Sequence, residues 1–314
     1  MLLSVQKITK RFPVQRSLIG RPTAFVKAVD DVSVDMVAGQ IVGVVGESGC
    51  GKSTLGRCAV GLYEPTEGAV WWDGTNIQLI PNIQKQSLRR KFQMVFQNPF
   101  ASLNPRQKIG DILKEPLEVH GLLTPSERPG FVQELLKNVG LSASDVGKYP
   151  HEFSGGQRQR IGLARAMACQ PDLIVLDEPL SSLDVSVQAS ILNLLSRLNR
   201  NSGIAYLFIS HDLQVVGYLS QHLLVMYLGR VVEEGKTDEV LKSPRHPYTK
   251  ALLAASEGKG IRIEGEPPNP AQAPTGCPFH PRCVFAEDRC RGEKQQLESD
   301  RSGWKVACWK WNRL

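Results

Sequence analysis

Residues 41–53 read Ile41-Val42-Gly43-Val44-Val45-Gly46-Glu47-Ser48-Gly49-Cys50-Gly51-Lys52-Ser53. The first five form a short apolar run rich in β-branched residues, which predicts a buried strand. The last eight fit G-x-x-x-x-G-K-[ST], and a helix is predicted to open at Ser53 and Thr54. Strand before and helix after is the setting that separates a phosphate-binding loop from a glycine-rich turn matching by chance. Gly46, Gly49 and Gly51 let the backbone curl, so that the N–H groups of Glu47, Ser48 and Cys50 can face phosphate oxygens. The start of the helix adds positive potential. Lys52 can reach the β- and γ-phosphates of a nucleotide, and the Ser53 hydroxyl can ligate Mg²⁺.

Working outward, similar apolar runs occur at Phe92–Phe96, Leu173–Leu176 and Ala205–Ile209. Helix-like stretches such as Gln157–Ala168 and Val185–Leu198 lie between them. Apolar strands alternating with helices predict an α/β fold on a largely parallel sheet covered on both faces. Residues 98–168 carry no such strand and are expected to form a helical subdomain. After Met226 comes one more strand pattern, Arg230–Glu234, and two short helices. The expected division is a phosphate-loop domain over 1–255, a Pro-rich linker over 256–276 and a small cysteine-bearing tail over 277–314. The linker contains Pro267, Pro268, Pro270 and Pro274. No internal repeat is found.

The chain has 314 residues, 41% hydrophobic and 22% charged, with a formal net charge of +7. These values exclude a disordered chain, a collagen-like fibre and a disulfide-rich miniprotein. No apolar run is long enough to span a bilayer, and charges follow the opening leucines too soon for a signal peptide. The basic residues are spread along the chain, with Arg89-Arg90-Lys91 the one tight run. Aromatic residues do not interleave with them, which points away from nucleic acid.

Two further segments belong beside the phosphate loop. Leu173-Ile174-Val175-Leu176 delivers Asp177 and Glu178 to a strand end. Read alone this is a strand ending in solvated acids. After a phosphate loop, Asp177 is a candidate Mg²⁺ ligand and Glu178 a candidate general base for an attacking water. Phe153-Ser154-Gly155-Gly156-Gln157 precedes a helix. Ser154 there is either a plain N-cap or part of a second anion site. One chain needs only one phosphate loop, so a second anion site suggests use in trans.

With these motifs the sequence resembles the ATPase subunits of ABC transporters over roughly residues 1–255. Six motifs stand in that family's order: the phosphate loop, Gln97 in VFQNP, FSGGQ at 153–157, LDEP at 176–179, Ser181-Ser182-Leu183-Asp184, and His211 in ISHD. Phe153 and Ser182 depart mildly from the usual residues. The resemblance implies an α/β P-loop core with an antiparallel β region near the N-terminus, and a head-to-tail pair of ATPase subunits. ATP would lie between one subunit's phosphate loop and Ser154, Gly155 and Gly156 of the other. Asp184 would line the subunit interface. His211 would sense the γ-phosphate and hold the attacking water. Gln97 would meet Mg²⁺ and link the nucleotide to the helical subdomain. Phe12 would stack on adenine, with Phe25 as the second candidate. Because Cys50 sits inside the loop, alkylation of its thiol is expected to block ATP binding.

Several segments resemble the oligopeptide/dipeptide branch of bacterial ABC importers: Gln97–Arg106, Leu183–Gln188, His246–Leu253 and Gly276–Cys283. The stretch Pro13–Lys27 before the phosphate loop looks more like the second ATPase subunit of that branch. The resemblance implies these partners: a second, homologous ATPase chain, two transmembrane permease subunits and, indirectly, an extracytoplasmic solute-binding protein. It implies a place on the cytoplasmic face of the inner membrane. Nickel, metal-chelate or glutathione-like cargo is the alternative to peptides, and a non-transport ABC ATPase is the second alternative. Four of the seven cysteines crowd into the tail as Cys277, Cys283, Cys290 and Cys308, spaced C-x₅-C-x₆-C-x₁₇-C. With little apolar sequence around them, such a segment needs a staple. The close C-x₂-C pairs usual for zinc are missing. The related importers imply a [4Fe–4S] cluster on these four cysteines; zinc or reduced thiols remain open.

Overall fold

The computed structural model describes residues 1–16, 22–97, 102–256 and 265–312. Part of the Pro13–Lys27 stretch, residues 98–101 of the Gln97–Arg106 segment and 257–264 of the linker lie outside the described residues. The chain divides into two compact units, one formed by residues 1–36, 41–78 and 208–314 and the other by 37–40 and 79–207.

The first unit opens with long strands β1 (Leu3–Arg16) and β2 (Pro22–Met36), followed by β3 (Ile41–Val45) and helix α1 (Lys52–Ala59). Strands β4 (Glu67–Trp72) and β5 (Thr75–Asn76) complete an antiparallel sheet of order β2-β1-β4-β5. In the second unit lie α2 (Asn82–Arg89), β6 (Phe92–Val95), α3 (Ile109–Val119), α4 (Arg128–Asn138), α5 (Gly155–Ala168), β7 (Leu173–Asp177) and α6 (Val185–Ser202). Strand β8 (Ala205–Ser210) carries the chain back into the first unit. There α7 (Leu213–Leu219), β9 (His222–Tyr227), β10 (Arg230–Lys236), α8 (Thr237–Lys242), α9 (Pro247–Ser256), α10 (Asp288–Gly292), β11 (Glu298–Ser299) and β12 (Lys305–Val306) follow.

In the first unit the larger sheet runs β11-β12-β10-β9-β3-β8. β3 and β9 are parallel, with Val45 opposite Val225, whereas β9 and β10 form an antiparallel hairpin. Every residue of β3 and β8 is buried. A Cβ at Gly43 would overlap Val216 of α7, so glycine inside this strand lets the helix pack close. In the second unit β6 and β7 pair in parallel, Phe92 opposite Leu173. Among the described residues between them the regular elements are helices, with Ile109, Ile112, Leu113, Leu117, Leu135 and Leu136 buried on α3 and α4.

The predicted strands all form, with β6 ending one residue earlier than its apolar run. The helix expected from Gln157 begins at Gly155, because the Ser154 side chain caps it. The tail departs more from expectation. It has an apolar staple of its own: Phe279, Trp304 and Val306 are buried, and β12 adds to the sheet edge with Val306 opposite Glu233 of β10. Glu233, fully buried, accepts hydrogen bonds from Trp304 Nε1 (3.0 Å) and from the backbone N–H groups of Arg245 (2.8 Å) and His246 (3.0 Å). A buried carboxylate with three donors is satisfied and fixes the tail's position.

Candidate functional site

The phosphate loop, residues 46–53, turns tightly between β3 and α1. Gly46, Gly49 and Gly51 all have positive φ, at 152°, 80° and 108°. A Cβ on Gly46 would overlap the Met226 carbonyl oxygen and one on Gly51 the Ala28 carbonyl oxygen, while Gly49 has open space around it. Two of the three glycines are thus required by close backbone approach as well as by φ. Gly51 is the N-cap of α1, so the loop ends on a helix N-terminus. Ser48 is exposed, and Ser53 and Thr54 are partly exposed at the first turn. The Lys52 amine folds back over the loop and donates to the carbonyls of Gly46 (2.7 Å) and Glu47 (3.0 Å).

Glu47 is gripped from two sides. Its backbone N–H donates to the Tyr248 hydroxyl at 2.9 Å. Its carboxylate accepts both terminal nitrogens of Arg282, at 2.7 and 2.9 Å. Tyr227, Tyr248 and Phe279 pack beneath this contact with ring centroids 4.7 to 5.4 Å apart.

Cys50 is buried, and burial pushes its thiol above the ordinary cysteine range. A higher pKa leaves less thiolate at neutral pH, and the thiolate is the nucleophile. The alkylation expected to block ATP binding should therefore be slow. Iodoacetamide at pH 7 is predicted to modify Cys50 more slowly than an unhindered cysteine by at least about tenfold. Mass spectrometry of the loop peptide checks this, and labelling as fast as a free thiol would contradict it.

Phe12, on β1, meets Tyr63 edge-on at 5.5 Å, and the Lys10 amine lies 5.3 Å from the Phe12 ring. Phe25, opposite Pro13, is about half exposed. His211 is exposed directly after β8, and Asp212 caps α7 through its side chain.

In the second unit, Asp177 ends β7 and is buried. Glu178 has φ 46°, a left-handed conformation uncommon for a residue with a side chain. Gln97 Nε2 donates to Glu178 Oε2 at 3.0 Å and lies 3.5 Å from Ser181 Oγ. The Ser181 hydroxyl in turn donates to the Glu178 carbonyl at 3.2 Å. The segment after β7 thus brings Gln97, Glu178 and Ser181 together. Ser154 caps α5 in a reciprocal box with Gln157. A Cβ on Gly156 would overlap Val187 of α6, and Gly155 faces Leu183. Asp184 caps α6, accepting from the Val187 N–H at 2.9 Å and the Ser186 hydroxyl at 2.7 Å. These bonds hold its carboxyl below the usual range.

The four tail cysteines, none in a disulfide, line one small cavity together with His246, His280 and Trp309. The Cys277 N–H donates to the Cys290 carbonyl (2.8 Å), and a Cβ on Gly276 would overlap that carbonyl. Burial, with a smaller contribution from the other three thiols, raises the Cys277 thiol to about 12. Among the described residues no group of three or more His, Cys, Asp or Glu side chains is arranged to hold a single metal ion.

Tyr63, Tyr248 and Arg282 were not anticipated as site residues. Tyr248 and Arg282 do lie in the His246–Leu253 and Gly276–Cys283 segments, the one sequence signal that could have marked them.

This fold and loop define an ABC-type ATPase. A family model described as "ABC transporter" matches residues 29–181, and one described as "Oligopeptide/dipeptide transporter, C-terminal region" matches residues 232–290. The chain is 46% identical to the dipeptide transport ATP-binding protein DppF of Haemophilus influenzae, covering 98% of this chain and 96% of that protein. It is 48% identical to the di/tripeptide transport ATP-binding protein DppF of Pseudomonas aeruginosa, covering 94% of each. Among solved structures, the dimeric ATP-binding cassette MJ0796 bound to ADP and Pi is similar, with TM-score 0.67 and 28% identity. That likeness covers 75% of this chain and 99% of the cassette. The chain belongs to the ATP-binding proteins of the oligopeptide/dipeptide ABC transporter family.

Proposed function

We propose that this chain hydrolyses ATP to drive import of di- or oligopeptides through two membrane-spanning permease subunits, working beside a second, homologous ATPase chain. The observation that carries the chemistry is the phosphate loop: a curled, glycine-shaped turn on a helix N-terminus with the Lys52 amine held over it. Phosphate oxygens would take over that amine from the Gly46 and Glu47 carbonyls. The peptide cargo and the importer assembly are supported by the relatives' dipeptide and di/tripeptide transport roles and by the matched C-terminal region.

In this reading Phe12, with Tyr63 beside it, stacks on adenine, and the loop N–H groups and Lys52 hold the phosphates. Ser53, Asp177 and Gln97 are the residues to hold Mg²⁺, which neutralises phosphate charge. Glu178 takes a proton from water as the water oxygen attacks the γ-phosphorus. The bond from the γ-phosphorus to the β,γ-bridging oxygen breaks, giving ADP and inorganic phosphate. His211 positions the water. Ser154 and Gly156 complete the site on ATP held by the partner chain, and Asp184 lies at that interface. The ATPase domain is assigned to 1–255, with the helical subdomain at about 98–168 passing motion to the permeases, the linker to 256–276 and the tail to 277–314.

Among the described residues no helix is long and apolar enough to cross a membrane. As the ATP-binding subunit of an importer, the chain is assigned a peripheral place on the cytoplasmic face. Gentle solubilisation of native membranes, capture of the chain and mass spectrometry test it. Two permease subunits with a second ATPase are expected; recovery with ribosomes or DNA-processing proteins and no permease would contradict transport.

The tail cysteines are read as ligands of a [4Fe–4S] cluster. Support comes from the donor set, four thiols on one cavity. A cluster spreads them over four irons, whereas zinc gathers its ligands within about 2.3 Å of one ion. Anaerobic protein is predicted to carry about four iron and four sulfide per chain. A colourless preparation without either would remove the cluster.

A further inference from the structure

We propose that Arg282 is a positioning residue for the phosphate loop, so that the cysteine-bearing tail is a working part of the nucleotide site. The inference rests on the ATPase reading above and goes beyond it, since the tail otherwise has no part in the chemistry. The Arg282 side chain is only 5% exposed and that of Glu47 24%. Their two parallel hydrogen bonds form a fork-to-fork pair, which fixes orientation as well as distance. Arg282 ends a short helical turn that is itself pinned: the His280 N–H donates to the Cys277 carbonyl, and the Arg282 N–H to the Phe279 carbonyl, both at 3.0 Å. Phe279 wedges against Tyr227 and Tyr248, and Tyr248 takes the Glu47 N–H. The Glu47 carbonyl in turn holds Lys52. A continuous line of contacts therefore runs from the Cys277–Cys283 segment through Glu47 to the phosphate-binding lysine.

Electrostatics gives this line a function. An acid at the second position of a loop that binds a triphosphate works against its ligand. Arg282 cancels that charge and turns the carboxylate away into a fixed pair. Without the guanidinium, Glu47 is an unpaired negative charge on the loop. Without both groups, the repulsion is gone.

The test is a double-mutant cycle on the full chain, with Arg282→Gln, Glu47→Gln and the pair combined. It measures ATP affinity, KM and kcat, and thermal melting confirms folding. Arg282→Gln is expected to weaken ATP binding and raise KM about tenfold with kcat within about twofold. Adding Glu47→Gln is expected to restore affinity to within about threefold of wild type. Arg282→Lys, which keeps the charge but loses the fork, should fall between. A purely structural arginine would give no rescue. Unchanged affinity in Arg282→Gln, or a double variant no better than it, overturns the proposal while ATP binding by wild type leaves the ATPase reading standing. A wild-type chain that bound no ATP would overturn both. Should Arg282→Gln not fold, hydrogen exchange on wild type decides: ATP is expected to slow exchange of amides 277–283 by about tenfold, through reciprocal coupling of the two regions. Exchange unaltered by ATP overturns the proposal.

Discussion

Replacing Glu178 by Gln is expected to cut ATP hydrolysis by about 10²- to 10⁴-fold while ATP binding persists. The amide is close in size to the carboxylate but cannot take a proton from water. The local geometry should survive. Gln97 donates to Glu178 Oε2, and an amide oxygen at that position can accept the same bond. The left-handed backbone at φ 46° is held by the Ser181 hydroxyl on the Glu178 carbonyl, and the substitution leaves both untouched. Strain of about 1–3 kcal/mol at such a residue is worth keeping where it aims a side chain. Phosphate release and ATP affinity measured on the same preparation check the prediction. Hydrolysis at the normal rate would remove Glu178 as the base.

Gly51→Ala is expected to lower ATP affinity by at least about 100-fold, whereas Gly49→Ala should cost about tenfold or less. Both glycines have positive φ, so both substitutions carry backbone strain. They differ in space. A methyl at 51 would overlap the Ala28 carbonyl, and at 49 it meets nothing. Ala28 cannot yield easily, because its surroundings are tied to the loop. The Asp30 N–H donates to the Gly229 carbonyl, and the Gly229 N–H to the Cys50 carbonyl, both at 2.8 Å. Alanine at 51 must therefore shift the loop and the start of α1, where the phosphates sit. Titration of ATP into the two variants separates the effects. Equal losses would mean that φ alone decides.

The parts of this fold that read directly from sequence are those encoded locally. β3, β7 and β8 are runs dominated by apolar residues, and burial on both faces of a parallel sheet demands that composition. The phosphate loop reads because its glycines, lysine and serine are neighbours in the chain. The capping role of Ser154 was visible, since a serine before two glycines suits a helix N-cap.

What did not read is what joins distant segments. Arg282 and Glu47 are 235 residues apart, and Trp304 reaches Glu233 across 71; no periodic pattern links either pair. The tail looked poor in apolar residues, yet Phe279, Trp304 and Val306 suffice to dock it because they enter an existing sheet edge and aromatic cluster. The left-handed turn at Glu178 was equally hidden, as an apolar run followed by two acids does not specify φ. Tyr63, beside Phe12 on the proposed adenine face, carries no motif at all.

If ATP hydrolysis by this chain powers peptide import, uptake in cells depends on Glu178. The most direct measurement is uptake of a labelled dipeptide by cells whose only copy of this chain is either wild type or Glu178→Gln, with equal membrane recovery of both proteins confirmed. Uptake is expected with wild type, and its loss, by about 100-fold, with the variant. Equal uptake in the two strains would contradict it.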